Sequence, residues 1–479
     1  MFKQLLITYC MLLFFGSYAQ EIRTLSLSEC IEIAIDNNLN VKSSKLSLET
    51  ARVNRTQANA QRYPRLNASG SYGFNWGRSI DPNTNLFVNQ RINFNSVGMN
   101  GSVPLLQGMQ VTNSIRQSNM DVKASELDLE RAKNDISLNV ASFYLTVILN
   151  KELVENARFQ LESSREQLAQ TKNFVQSGAL PIANQLQQES QVATNEVSLI
   201  NSENNLDFAL LDLMQALLLP PGEEIDIIVP DVETVETIMN DMNLNDVYEY
   251  ALSNQPEILA AEERVKSARL GMSVSQGSLF PSLSLNGNIN TNYSDAVDRI
   301  FVPNGLFETD TRTSQVLETL SGEEIRETII TPGGDFQDYE VLDQWDDNLR
   351  YSVSLGLTVP ILNGLNNRAN LQRARIQVQQ SEINAVQEQN TLYQTVQQAF
   401  RNAEAAAKTY TASQKQVAAL EETFRAVENQ YNNGAANFTD YQVANNNLFG
   451  AKADLSRTKY EYIFRKKILE FYQGKPLEF

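Results

Sequence analysis

Side chains suited to acid–base, nucleophilic or metal chemistry are few in this chain, and they do not converge. The 479 residues include no histidine, which removes the commonest general base and the commonest transition-metal ligand together. The two cysteines, Cys10 and Cys30, are too few for a disulfide framework and badly placed for a metal site. Cys30 falls on the apolar side of a predicted helix, where a free thiol behaves as a small packed hydrophobe. No glycine-rich phosphate loop ending in Lys-Ser or Lys-Thr is present. Carboxylates are abundant, 57 Asp and Glu against 39 Lys and Arg, but they are scattered, whereas an active site needs a nucleophile, a base and an oxyanion site brought together. No enzyme, cofactor or metal is therefore expected. The net charge of −18 leaves no basic stripe to neutralise phosphates, so no nucleic acid is expected as a partner.

The elements around these residues are more informative. The first residues read MFKQLLITYCMLLFFGSYAQ. Lys3 precedes an apolar stretch from Leu5 to Phe15, and Ser17-Tyr18-Ala19 forms a small-x-small cleavage site. Residues 1–19 are expected to be a signal peptide, with Gln20 starting the mature chain. An N-terminal anchor is the weaker reading because the run is too short to span a bilayer. Cys10 lies inside the apolar stretch rather than after it, so a lipoprotein signal is not supported. Beyond residue 20 no long apolar run occurs, and a membrane crossing would have to use strands.

The chain is written twice. At an offset of 217, Ala51-Arg52 meets Ala268-Arg269, and Tyr63-Pro64-Arg65-Leu66 meets Phe280-Pro281-Ser282-Leu283. At an offset of 256, Val103-Pro104-Leu105-Leu106-Gln107-Gly108 meets Val359-Pro360-Ile361-Leu362-Asn363-Gly364, and Gly178 meets Gly434. The offsets differ by 39 residues, which places an insertion between about 293 and 346 of the second copy. The expected organisation is a first repeat over 20–220, a linker over 221–243 and a second repeat over 244–479.

Each copy reads helix, strand, strand, long helix, helix. The first helix is expected from about Leu25 to Gln61, and its counterpart from about Leu244 to Ser278. Alternation then predicts strands carrying Tyr72, Phe74 and Trp76; Phe94; and Leu349, Tyr351, Val353 and Leu355. The stretch Ile92 to Val103 slips phase near Ser96, as at a bulge. Neither Gly nor Pro occurs between Gly108 and Gly178, or between Gly364 and Gly434. Each gap reads as a helix roughly 100 Å long, which needs coiled-coil partners. Val140, Val147, Val154, Leu161 and Leu168 supply a seven-residue seam, matched in phase by Val396, Ala403, Tyr410, Val417 and Phe424. Helices then return over about Ile182 to Leu218 and Phe438 to Tyr472.

Any one of these strands alone would suit a half-buried soluble sheet. Four are too few for a membrane barrel, which needs about eight or more. Either no membrane barrel forms, or several copies contribute strands to one. A non-channel periplasmic or surface coiled-coil protein is the alternative reading.

Taken together and in order, these features resemble the TolC-type outer-membrane efflux proteins. The resemblance covers essentially the whole mature chain. It implies a mainly α fold with a small membrane β-barrel: a homotrimer whose copies give four strands each to a twelve-stranded barrel, above a long antiparallel coiled-coil α-barrel in the periplasm. It further implies passive conduction out of a Gram-negative cell, with a periplasmic adaptor and an inner-membrane pump as partners and outer-membrane lipid around the barrel. Segments 77–91 and 293–347 become extracellular loops, the second acidic and solvated. The tips at Gly178, Ala179 and Leu180, and at Gly434 and Ala435, become the entrance and the adaptor contact. Asp440 matches an acidic ring position of the family, and Tyr431 matches its tyrosine. The next acidic position is Val443, the arginine position is Ala436, and the first-copy equivalent of Asp440 is Asn184. A Tyr431–Asn184 hydrogen bond is the expected substitute for the family's ionic latch. Read without the resemblance, Asp440 is equally a first-turn helix acid.

Overall fold

The computed structural model describes residues 23–80, 86–89, 91–229, 243–297, 299–318 and 324–477. The expected signal peptide and most of the expected linker lie outside the described residues. In chain order the elements are β1 (Arg23–Leu25), α1 (Leu27–Asn37), α2 (Leu39–Ala60), β2 (Arg65–Asn75), β3 (Arg78–Ile80), β4 (Phe87–Asn89), β5 (Ile92–Gln107), α3 (Gln110–Gln176) and α4 (Ile182–Ala216). They continue with β6 (Ile225–Ile227), α5 (Leu244–Asn254), α6 (Pro256–Gly277), β7 (Ser282–Ser294), β8 (Arg299–Glu318), β9 (Glu324–Asp338), α7 (Val341–Asp347), β10 (Arg350–Thr358), α8 (Asn366–Asn432) and α9 (Phe438–Tyr472). Two compact units result, each drawing on both repeats. One holds the chain up to Arg55, Arg116–Arg269 and everything from Arg375; the other holds Thr56–Ile115 and Leu270–Ala374.

In the helical unit, α3 and α8 are each 67 residues long, and α4 and α9 are each 35. The expected seams are buried at Val140, Val147, Val154 and Leu161 on α3 and at Val396, Ala403, Tyr410 and Val417 on α8, while their last members, Leu168 and Phe424, are half-buried. The first helix of each copy is broken where continuity was expected, at Asn38 and at its repeat equivalent Gln255. Asn38 turns extended and its Oδ1 accepts from the Asn40 and Val41 amides, so it ends one helix and caps the next. Gln255 is driven extended by Pro256, which disfavours helical geometry in the residue before it and then opens α6.

A parallel pair, β1 with β6, lies where the sequence suggested helix and linker. The Tyr144 hydroxyl clamps it, donating to the Leu25 and Ile228 carbonyls at 3.2 and 2.5 Å. Leu25, Ile225 and Ile227 of the pair join Val140, Ile148 and Leu213 in one buried cluster.

The other unit is built on a four-stranded antiparallel sheet of order β10-β7-β5-β2. No bulge marks the expected phase slip near Ser96: β2 and β5 pair without interruption from Arg65↔Ser102 to Asn75↔Ile92, so the slip moves the apolar residues from one face, at Ile92 and Phe94, to the other, at Val97 and Met99. The irregularity falls instead at Pro104–Leu106, opposite β7. Proline has no N–H for the ladder, so the extra residue, Leu105, is accommodated beside it.

The segments expected as loops are also built differently. β3 pairs with β4, and the acidic insertion folds into a long hairpin of β8 and β9, from Arg299↔Asp338 to Glu318↔Glu324. Threonine, isoleucine and valine run through this ribbon and favour strand, while its charge suggested solvated loop. Helix α7 then covers the β7 edge that β10 leaves unpaired. Buried Gln344 donates to the Ser294 and Val297 carbonyls and accepts from the Ser294 amide, and Asn348 donates to the Asn292 carbonyl. Backbone groups at an open edge are thereby satisfied.

Candidate functional site

Two regions carry the functional argument: the faces of the sheet and the tips of the helical hairpins. Register decides the faces, because paired residues share one and successive residues alternate. Leu66, Ala68, Gly70, Tyr72 and Phe74 of β2 share a face with their β5 partners Gly101, Met99, Val97, Asn95 and Asn93. These continue into Ile289 and Leu285 of β7, and then Tyr351, Val353, Leu355 and Leu357 of β10. The opposite face presents Asn67, Ser69 and Ser71, then Ser96 and Asn100, then Asn286, Asn288 and Asn290, then Ser352 and Ser354. One face is therefore mainly apolar, interrupted by Asn93, Asn95 and Thr291, and its reverse is mainly amide and hydroxyl, interrupted by Ile92 and Phe94.

The apolar face is open to its surroundings in the single chain, with Tyr351 82% and Val353 78% exposed. Aromatic rings gather at one end of it. Tyr72, Phe74 and Trp76 contact in sequence at 5.3 and 5.9 Å between centroids, and Trp345 reaches Asn95 with its ring N–H at 2.9 Å. Leu349 begins this stretch just ahead of β10 and is half exposed. Phe94 departs from the other expected strand residues: it pairs with Gly73 on the polar face, where its ring fills the space a side chain at Gly73 would need.

The hairpin tips repeat to the atom. Gly178 and Gly434 both have φ +76°, a conformation costly for any residue with a Cβ. Gly178 donates to the Val175 carbonyl and Ala179 to Phe174; Gly434 donates to Tyr431 and Ala435 to Gln430, with matching lengths of 3.0 and 2.8 Å. Leu180 also donates to Phe174. Both are Schellman closures, which satisfy the last carbonyls of α3 and α8.

Asp440 is exposed in the first turn of α9, and its amide donates to the capping Asn437 side chain at 2.9 Å. The Tyr431 ring stacks on Tyr441 at 5.0 Å and lies 6.1 Å from Phe438. Burial raises the Tyr431 phenol above its ordinary range and pushes Tyr441 up to about 12, so Tyr441 stays neutral near pH 7.

Sequence reasoning missed the contact that joins the two hairpins. Gln167 of α3 donates to the Tyr441 hydroxyl of α9 at 2.7 Å, and Gln188 of α4 donates to the Gln167 carbonyl oxygen at 3.2 Å. Gln188 is fully buried and also donates to the Ser164 backbone. A signal was present: Ser164 and Thr171 on α3, and Gln188 and Asn195 on α4, are buried polar residues seven apart. The apolar seam thus turns polar towards the tips.

Cys30 is packed as expected. Burial, and secondarily Glu29, push its thiol up to about 12, so it does not ionise near neutrality. Among the described residues no helix is long and apolar enough to cross a membrane.

Comparison with known proteins agrees with this geometry. The probable outer membrane lipoprotein SilC of Salmonella typhimurium is 23% identical over 359 residues, covering 74% of this chain and 65% of the relative. The chain spans less than two thirds of the length of the curated relatives it matches. The fold is that of the CusC channel structure, at TM-score 0.73 and 18% identity over 96% of both chains. It is shared with VceC of Vibrio cholerae, at TM-score 0.69 and 15% identity over 94% of this chain and 97% of that one. Residues 30–217 and 340–472 match the outer membrane efflux protein family, and to that family this chain belongs.

Proposed function

We propose that this chain is the outer-membrane channel of a tripartite efflux or type I secretion system. It conducts substrate passively from an inner-membrane pump and periplasmic adaptor to the cell exterior. The observation that carries this reading is the two-faced sheet whose edge strands, β2 and β10, pair inward with β5 and β7 while their outer edges meet no strand among the described residues. An open edge in hydrocarbon leaves backbone groups unsatisfied, so a membrane sheet must close. Four strands cannot close alone, whereas three copies supply twelve. In that barrel the Val353 face meets lipid and the Asn288 face lines the lumen. The helices form the periplasmic tunnel, and the tips at Gly178 and Gly434 meet the adaptor.

Fractionation, unheated gels and planar bilayers test this together. The expected result is an outer-membrane, SDS-resistant oligomer that opens discrete conductance steps. A monomer in the soluble periplasmic fraction with no conductance would instead favour a coiled-coil structural protein.

A further inference from the structure

Charge divides the sheet unit between its two ends. Strand pairing gathers Arg65, Gln107, Ser282 and Thr358 towards one end, where the strands run into helices, and Asn75, Ile92 and Ser294 towards the other. Every Asp and Glu of this unit stands at position 81 or between 295 and 347, in the segments that leave the far end. The helical end has arginine alone: Arg62 just before β2, Arg65 at its start, and Arg368 and Arg373 near the start of α8. All four are exposed. A chain of net charge −18 thus keeps one end of its sheet unit basic.

The same end is apolar on its outside. The Leu66 face runs on through Val103 and Leu106 of β5, which pair with Leu285 and Leu283 of β7, and these pair with Leu355 and Leu357 of β10. The bulge leaves two adjacent leucines, Leu105 and Leu106, 52 and 55% exposed. Their repeat equivalents, Ile361 and Leu362, are 93 and 86% exposed. Arg62, Leu105, Leu106 and Met109 line one cleft, so a cation stands at the rim of the apolar surface.

We propose that this end of the unit binds an anionic phospholipid of the outer membrane's periplasmic leaflet. Arg62 holds the headgroup phosphate, and Leu105, Leu106 and Met109 contact the acyl chain. The inference rests on the channel reading above, which puts the Leu66 face in lipid and the helices in the periplasm. Continuity selects the occupant, because the leucine patch is the margin of the face already assigned to hydrocarbon. Charge selects its class. A zwitterionic headgroup neutralises its own phosphate, whereas an anionic one keeps a net charge for arginine, whose planar fork fits phosphate oxygens in pairs. The carboxylates at the far end disfavour the same lipid there, which confines the preference to one leaflet.

Lipid quenching tests this in the full-length chain, reconstituted in vesicles of phosphatidylethanolamine and phosphatidylglycerol with one of the two brominated on its acyl chains. Tyr63→Trp, beside Arg62, is the reporter once both native tryptophans are removed by Trp76→Phe and Trp345→Phe. Phosphatidylglycerol is expected to occupy the reporter's surroundings about fivefold more readily than phosphatidylethanolamine. Arg62→Gln should abolish that preference, Arg62→Lys should keep most of it, and high salt should weaken it. With Trp76 as the sole tryptophan, at the far end, no preference for phosphatidylglycerol is expected. Equal quenching by the two lipids at Tyr63→Trp, or a preference that survives Arg62→Gln, would overturn the site while unheated gels and conductance still show the assembled channel. An equal preference at Trp76 would reduce the effect to unlocalised attraction and overturn it too. Should Arg62→Gln fail to assemble, salt decides: a preference in the Arg62 chain that ignores salt refutes the headgroup contact. A parent chain that forms no oligomer and no conductance would sink the channel reading and the lipid site together.

Discussion

Burial raises the Glu257 carboxyl above its ordinary range; Arg131 opposes the shift, while Asp135 and Glu388 reinforce it. Asp135 is raised as well, again mainly by burial. These residues come from α3, α6 and α8, so no local pattern announces the cluster; the fold creates it. Its effect on stability has a definite sign. A carboxyl that holds its proton more tightly when folded stabilises the protein below its unfolded pKa of about 4.3 and loses that contribution as pH rises through the folded value. At neutral pH the buried carboxylate is therefore a cost, accepted beside the single Arg131. Replacing Glu257 by Gln should raise the melting temperature at pH 7 by about 2 °C. The difference should shrink towards zero near pH 4, where the native carboxyl is protonated too. Thermal melts across that range decide the point, because a gain that ignores pH would trace to packing rather than charge.

At the scale of elements, the two faces of the sheet make the sharpest contrast. Val353 and Ser352 are adjacent on β10 and point to opposite sides. Val353→Lys places a charge on the apolar face and should cost about 2–4 kcal/mol if that face meets the bilayer midplane. Ser352→Lys adds the same charge to the amide and hydroxyl face and should leave assembly unchanged while lowering cation selectivity. Outer-membrane yield of oligomer and reversal potential in bilayers read the two effects separately; equal loss of oligomer from both would refute the assignment of faces. This polarity was legible in the sequence because a strand's period is two and the repeat supplied each strand twice. The long helices were legible for a similar reason: seven-residue spacing at Val140 and Val396, with neither Gly nor Pro to interrupt it. What escaped was set by single residues or by distant partners. The break at Asn38 depends on one side chain capping the next turn. The β1–β6 pair joins segments about 200 residues apart. The β8–β9 ribbon hid behind its charge, and the bulge followed Pro104 rather than the apparent slip at Ser96.

The whole molecule brings Asp440 into play only through assembly. In one chain it is an exposed acid in the first turn of α9, beside an Asn437 that already caps the helix. Its helix-dipole contribution there is about 0.3–1 kcal/mol. In the proposed assembly the same residue repeats once per copy around the channel axis, and because its first-copy equivalent is the uncharged Asn184, the proposed entrance would carry a single acidic ring at that level. Nothing ionic holds the hairpins together at the Gln167–Tyr441 contact, where the partners are an amide and a phenol that stays neutral. Charge at the entrance can therefore act on ions without also acting as the latch. Asp440→Asn should then lower cation selectivity and weaken block by divalent cations in planar bilayers, with little change in oligomer stability. Asn184→Asp should do the reverse by adding a second ring of carboxylates beside the first. Selectivity and block unchanged in both variants, with only a small loss of thermal stability in Asp440→Asn, would reduce Asp440 to its helix-terminus role. A wild-type entrance that loosens at high salt would assign the latch to ion pairs after all.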